Sequence, residues 1–405
     1  MRIAVVSPFL DRRHGAERCV VEQIEYFCRQ PETEVHIYSQ SVQDFEFVFS
    51  SDFRPGQTFL NKPVWHRLPA LPGPHLFHYV WWFLANTGLR WFHRKFRSLD
   101  YDLVYSPGIN CPDADAIVVH VVFCEFLRHV QESLRLSTNP LRSWPALIHR
   151  SLYYRLIIFL EHRVYPNRRV QLAAVSNLTA RELSIPAKRS DITVIPNAVD
   201  TAKFSPEIRL QRRTQARTAL SFSDSDFVLL LLGNGWANKG LSFVLQSMNA
   251  ERDLPLKLLV VGRDDQAPHL EEIRRLQLDG RIHFQEPSPD VLQFYAAADA
   301  YVSPSLHDSF ALPPLEAMAC GLPVITSIRN GGSQIVSDGV DGFVLNDPQD
   351  SSRLARLMRS LWESPDLCRK LGANAAATAK SYTWERNACE TFAFLQSALR
   401  LKESP

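Results

Sequence analysis

Along the chain, short runs of consecutive apolar residues alternate with stretches whose apolar positions recur every three or four residues. In the first half the runs are "RIAVVS", "EVHIYS", "YDLVYS", "DAIVVHV" and "VQLAAVS". In the second half they are "DFVLLLLG", "LKLLVVG", "RIHF", "AYVSP", "LPVIT" and "GFVL". A strand with one wet face alternates apolar and polar residues. A run such as "FVLLLL" is apolar on both sides and fits a parallel strand covered by helices on both faces. The regular alternation of strand and helix patterns predicts an α/β protein.

The runs fall into two groups, divided near the midpoint by "VIPNAVDTAKFSP", Val194 to Pro206, a turn-rich stretch with two prolines. This predicts two doubly wound parallel-sheet domains, 1–195 and 196–383. The 405 residues are ample for both. Beyond the second sheet, "YTWERNACETFAFLQSALRL" reads as an amphipathic helix. Residues 384–405 are expected to cross back to the first domain. Ligands of such sheets sit at the carboxyl ends of the strands, and with two domains the expected site is the cleft between them.

Charge narrows the function classes. Lys and Arg number 45 against 43 Asp and Glu, a net charge near +2, which argues against a nucleic-acid partner. The seven cysteines include no C-x-x-C pair, which argues for a reducing compartment and against zinc or a disulfide framework. "MRIAVVSPFLDRRHG" reads as a first strand, not a signal peptide, and no apolar run approaches the ~20 residues of a membrane span. A cytoplasmic protein is expected.

Two stretches carry chemistry. "DFVLLLLGNGWANKGLSFVL", Asp226 to Leu245, reads as a buried strand, a glycine loop and a helix with Lys239 at its start. It approaches a Walker A loop, but has Asn238 where that motif needs Gly and Gly240 where it needs Ser or Thr. Loop amides, a helix dipole and the Lys239 charge would favour a diphosphate, and without the hydroxyl no loop-bound magnesium is expected. A solvated lysine beside a tight turn is the bland alternative. In "SPSLHDSFALPPLEAMACGLPVI", Ser303 to Ile325, a strand ends, a loop carries Asp308, and a helix opens with prolines. "FALP" offers amides at that helix N-terminus, and Glu316 sits one turn in. Asp308 as a loop cap and Glu316 as a first-turn dipole partner are the structural alternatives.

The second stretch resembles the E-x7-E signature of glycosyltransferase family 4, retaining enzymes of the GT-B fold, with Asp308 and Glu316 at that spacing and "LEAMACGLPVI" as the continuation. The resemblance extends to "GAER" at Gly15 to Arg18, "VVH" ending at His120, "AVSNLTARELS", "VIPNAVDTAKFSP" and "GNGWANKG". The chain departs from it in having Asp308 where Glu is usual and Asn234 where many members have Arg. The short Gly233-to-Lys239 spacing is similar to the lipopolysaccharide-core glucosyltransferase branch, in which Arg often stands where this chain has Asn238. Arg263, in "VVGRDD", is a candidate to supply the missing charge.

The resemblance implies a hexosyltransferase with the following roles. Lys239 and the amides of Phe310, Ala311 and Leu312 would hold the diphosphate, beside the loop residues Gly233 and Asn234. Glu316 would bind the ribose, and Asp308 would orient the donor sugar. Gly15 and Ala16 would approach the phosphate from the first domain, and His120 would contact the donor sugar near the anomeric centre. The leaving phosphate would help take the acceptor proton, so no dedicated base is required. No tightly bound cofactor or metal is expected. The donor would be a nucleotide sugar, a UDP-sugar favoured over a GDP-sugar. The acceptor would be a saccharide or lipid-linked saccharide of a lipopolysaccharide or exopolysaccharide.

Residues 125–169 hold eight Arg and three Glu interleaved with Trp144, Tyr153 and Tyr154. Peripheral contact with an anionic membrane at the inner face of the cell membrane is expected there. The aromatic stretch "HLFHYVWWFLANTGLRWFHRKF" reads instead as a core helix. Two other classes compete with transfer: a GT-B-like epimerase or glycoside-cleaving enzyme, and a non-catalytic nucleotide-sugar-binding or scaffolding subunit. Hydrolysis needs two carboxylates flanking the scissile bond, and no second pair is evident.

Overall fold

The computed structural model describes residues 1–43, 61–71, 73–128 and 140–403, for 140–147 the backbone only. Part of the arginine-rich segment, residues 129–139 and the side chains of Arg142 and Trp144, therefore lies outside the described residues. The chain forms two compact units, Met1–Asn197 with Trp384–Pro405, and Ala198–Thr383.

The first unit contains β1 (Arg2–Val6), β2 (Phe9–Leu10), β3 (Glu34–Ser39), β4 (Ser41–Val42), β5 (Val64–Arg67), β6 (Leu103–Pro107), β7 (Ala116–Val119), β8 (Gln171–Ala174) and β9 (Thr193–Val194). Seven of these make one parallel sheet in the order β5-β3-β1-β6-β7-β8-β9, and β2 pairs with β4. The β1 residues Ile3 to Val6 are fully buried, as a strand covered on both faces requires. The C-terminal helix Trp384–Glu403 packs on helix Gly15–Cys28. A buried amide network joins the two helices: Gln23 Nε2 donates to Asn387 Oδ1 (2.9 Å) and Thr391 Oγ1 (3.1 Å).

The second unit contains β10 (Phe227–Leu232), β11 (Leu256–Val261), β12 (Ile282–Gln285), β13 (Ala300–Ser303), β14 (Val324–Ser327) and β15 (Gly342–Leu345). They form a parallel sheet ordered β12-β11-β10-β13-β14-β15. Its core joins Leu229, Leu231, Leu258 and Val260 of the sheet to Val244, Leu245 and Met248 of helix Leu241–Ala250.

Both sheets start in the middle, add strands to one side, then cross back and add to the other. The reversal lies between β1 and β6 in the first unit and between β10 and β13 in the second. Loops leaving the carboxyl ends of such a central pair diverge to opposite faces and open a crevice between them.

One element departs from the sequence reading. The aromatic stretch forms helix His75–Arg97, which meets the core through Trp82, with Phe83, Ala85 and Leu89 packed beside it, but leaves a second apolar stripe uncovered. Its inward side buries Trp82, Asn86, Arg90 and His93. Its outward side exposes Phe77, Val80, Leu84, Trp91, Phe92 and Phe96. Apolar side chains therefore lie on both sides of the helix, and Asn86, Arg90 and His93 share the inward side with Trp82.

Candidate functional site

In the second unit, the loops after β10 and β13 meet at the switch point. Gly233 closes β10 at φ +124°, a backbone that favours glycine, and a Cβ there would lie 3.3 Å from Lys239 Cε. The lysine thus folds back over the strand end. Its Nζ lies 2.5 Å from Asp308 Oδ2, and both side chains are largely buried. Asn238 fixes this meeting: its Nδ2 donates to the His307 carbonyl (2.6 Å), and its own carbonyl accepts from the Leu306 amide (2.8 Å). Asn238 therefore ties the two loops together and adds no charge.

The loop differs from a phosphate-cradling one in its amides. The N–H groups of Lys239, Gly240 and Leu241 donate to the carbonyls of Gly235, Ala237 and Trp236. The expected backbone cradle is therefore not formed at these residues, and anion attraction falls to the Lys239 ammonium. The helix itself begins at Leu241, with Gly240 as its N-cap at φ +83°. A Cβ on Gly240 would lie 2.4 Å from the Pro304 carbonyl oxygen. Glycine stands where a Walker loop has its hydroxyl because nothing larger fits.

Asp308 is held by its backbone. Its amide donates to the Arg329 carbonyl (2.9 Å), and its carbonyl accepts from the Gly331 amide (2.7 Å). Helix Leu312–Ala319 follows, with Glu316 buried on it. Tyr295 donates its hydroxyl to Glu316 Oε2 at 2.7 Å. Burial and the Glu316 charge push the Tyr295 phenol well above its ordinary range, so it remains the donor. Of the amides expected to bind phosphate, Ala311 N–H is already committed to Asn330 Oδ1 (3.3 Å). Pro313 and Pro314 have no N–H to give, so Phe310 and Leu312 are the amides left to the role. Asn234 accepts from the Arg263 amide (3.0 Å), whereas the Arg263 side chain is exposed and makes no ion pair among the described residues. No described contact brings the Arg263 guanidinium to Lys239.

In the first unit, a cavity of about 490 Å³ opens at the other switch point. It is lined by Ser7, Pro8 and Phe9 after β1, and by Gly108 to Asn110 after β6. Ala16 and Glu17 line it from helix Gly15–Cys28, whose first residue is Gly15. His120, which follows β7, lines it too. Burial depresses the His120 pKa to about 4, so the ring is neutral near pH 7 and offers a hydrogen bond, not a charge. Its Nε2 is buried without a partner, as are His78 Nε2 and Trp82 Nε1 from the same lining. A buried polar group left unmatched costs about 1–3 kcal/mol, so three together mark a surface suited to a hydroxyl-rich ligand. Burial also raises the Glu17 carboxyl above its usual range.

The structure thus brings Lys239, Asp308 and Glu316 to one end of the second sheet, and Ala16 and His120 to one cavity of the first unit. Sequence reasoning missed Tyr295, Asn330, His78 and Trp82. Only Asn330 had a local signal, the turn-forming "NGG" after β14.

Residues 212–378, within the second unit, match the family described as glycosyl transferases group 1. The chain is 30% identical over 221 residues to D-inositol 3-phosphate glycosyltransferase 1 of Catenulispora acidiphila, covering 50% of this chain and 53% of that protein. The chain spans about half the length of the curated relatives it matches. Among solved structures it is similar to WaaG, a glycosyltransferase involved in lipopolysaccharide biosynthesis, with TM-score 0.71, 17% identity and coverage of 97% of this chain and 99% of the other. Anabaena HepE, solved in complex with UDP and glucose, aligns with TM-score 0.66 and 18% identity over 98% of this chain and 99% of its own. The fold is GT-B, built of two Rossmann-like domains.

Proposed function

We propose that the protein is a retaining glycosyltransferase that moves a hexose from a nucleoside-diphosphate sugar to a saccharide or lipid-linked saccharide of a cell-surface glycan. The observation that carries this reading is the convergence of Lys239, Asp308 and Glu316 at the β10/β13 switch point. HepE, which shares the fold, was solved with UDP, which supports a UDP-sugar donor.

In this reading Glu316, oriented by Tyr295, accepts hydrogen bonds from the ribose hydroxyls. Lys239 faces the diphosphate, with the Phe310 and Leu312 amides beside it. As the bond between anomeric carbon and phosphate oxygen breaks, negative charge collects on the leaving diphosphate, and a fixed cation there lowers the barrier. Asp308 orients the sugar. The acceptor hydroxyl forms the new bond on the face the phosphate leaves, and its proton passes to the departing phosphate oxygen. No metal enters these steps. The cavity of the first unit, with the unmatched nitrogens of His78 and Trp82, suits the acceptor.

The test is release of nucleoside diphosphate from a panel of UDP- and GDP-hexoses, with and without saccharide acceptors and with EDTA. Release that depends on acceptor and survives EDTA is expected. Acceptor-independent release would favour hydrolysis, and binding without release a non-catalytic subunit.

A further inference from the structure

We infer that helix His75–Arg97 and helix Pro140–Val164 together form a face that rests on an anionic lipid bilayer. The first helix carries an exposed apolar stripe. Phe77, Leu84, Trp91 and Phe96 are 68%, 64%, 57% and 61% exposed, respectively. Phe77, Val80, Leu84, Gly88, Trp91 and Lys95 follow one another at three- and four-residue steps, which aligns them on one side of a helix. A lone exposed apolar residue needs no explanation, but a contiguous aromatic stripe does.

The neighbouring helix extends the patch. The Leu76 amide donates to His149 Nε2 at 3.0 Å, and the Tyr79 and Tyr153 rings meet at 5.7 Å. Beside this contact Ile148, Leu152 and Phe159 are exposed.

Charge selects the partner. Helix His75–Arg97 holds Arg90, Arg94, Lys95 and Arg97 and no acidic residue. Arg90 is buried against Asp113, and Arg94 pairs with Asp100 at 3.2 Å. Lys95 and Arg97 have no carboxylate partner among the described residues, and Lys95 Nζ lies 5.1 Å from the Trp91 ring centre. On the second helix Arg150, Arg155 and Arg163 are exposed. Its Glu161 is fully buried and accepts from the amides of Phe123 (2.7 Å) and Cys124 (3.0 Å), so it adds no outward negative charge. Aromatic side chains flanked by cations suit the headgroup region of an anionic bilayer. Among the described residues no helix is long and apolar enough to cross a membrane, so the contact is interfacial.

The same two helices wall the cavity of the first unit. His75, His78, Tyr79 and Trp82 come from one, and Tyr153 and Ile157 from the other. A face on lipid and a polar cavity behind it fit an amphiphilic acceptor, whose sugar enters the cavity while its lipid stays in the bilayer. That assignment of the acceptor rests on the proposed function, whereas the lipid contact does not.

Flotation of the full chain with vesicles tests the lipid contact and needs no donor. Vesicles containing phosphatidylglycerol should carry the protein at low salt, and pure phosphatidylcholine vesicles should carry much less. The double substitutions Trp91→Ser/Phe96→Ser and Phe77→Ser/Leu84→Ser should each lower partitioning on the order of tenfold or more, with unchanged melting. Lys95→Gln/Arg97→Gln should lower it only on the anionic vesicles. Failure of the wild type to float with anionic vesicles, or flotation of both apolar variants like the wild type, would overturn the inference. So would a lipid-free dimer in sedimentation velocity that the same variants dissolve, because the face would then belong to a second copy. Loss of nucleotide binding would bear on the donor reading alone.

Discussion

Lys239 and Asp308 neutralise one another at the mouth of the second sheet, 2.5 Å apart. A diphosphate arriving there competes with Asp308 for the ammonium. The two residues should therefore respond oppositely to substitution. Lys239→Ala should weaken nucleoside-diphosphate binding by roughly 1.5–3 kcal/mol, the scale of a lost charge-assisted contact. Asp308→Asn should tighten binding of the free diphosphate, by up to about tenfold, while lowering turnover, because the sugar loses its anchor as the lysine loses its competitor. Titration calorimetry and turnover for both variants check this; weaker binding in Asp308→Asn would mean that Asp308 supports the nucleotide itself. The positions of both residues at strand ends were readable from local pattern. Their pairing was not, since it depends on which strands neighbour β10 in the sheet. Tyr295 was unreadable for the same reason: it contacts Glu316 across 21 residues of sequence from inside a short, mostly apolar helix, Leu292–Ala297.

At the scale of elements, the loop after β10 is shaped by packing against Pro304. Gly240→Ser, which would restore the hydroxyl of a Walker loop, should destabilise the fold by about 2 kcal/mol or more, from its left-handed backbone and the clash at 2.4 Å. A melting temperature lower by roughly 4–8 °C would express that cost, and an unchanged one would show that the loop can move away. The first unit offers a pH test. His36, on β3, and His66, on β5, are bonded ring to ring at 2.9 Å, and the His66 and His93 rings lie 4.7 Å apart. Burial lowers all three pKa values, His66 to about 4. Between about 6.5 and 4 the unfolded chain binds more protons than the folded one, so stability is full above that window and declines as pH falls through it. Thermal melts should drop between pH 7 and pH 5, and less steeply in His66→Gln. A profile flat to pH 5 would contradict this.

The strands were the most legible elements, because a strand buried on both faces is apolar at every position. Helix His75–Arg97 reads as a core helix and does reach the core through Trp82, Phe83, Ala85 and Leu89, but periodicity does not say how much of an apolar surface is covered. Here Asn86, Arg90 and His93 share the inward side with them and find polar partners inside the unit, such as Asn110, Asp113 and Tyr38, while Phe77, Leu84, Trp91 and Phe96 face out.

At the scale of the whole molecule, each of the two sheets reverses strand order about its middle, and each reversal carries a group of side chains suited to part of a sugar transfer. The second unit supplies a cation, two carboxylates and the match to group 1 glycosyl transferases. The first supplies a cavity with unmatched ring nitrogens. The most direct test of the central claim is calorimetric titration of UDP into the full chain, its Lys239→Ala variant and its Glu316→Gln variant, in EDTA. The account predicts one site on the wild type, with UDP bound more tightly than GDP. It predicts affinity lower by roughly ten- to a hundred-fold in each variant, with melting unchanged. Wild-type affinity in both variants, or no nucleotide binding at all, would contradict it.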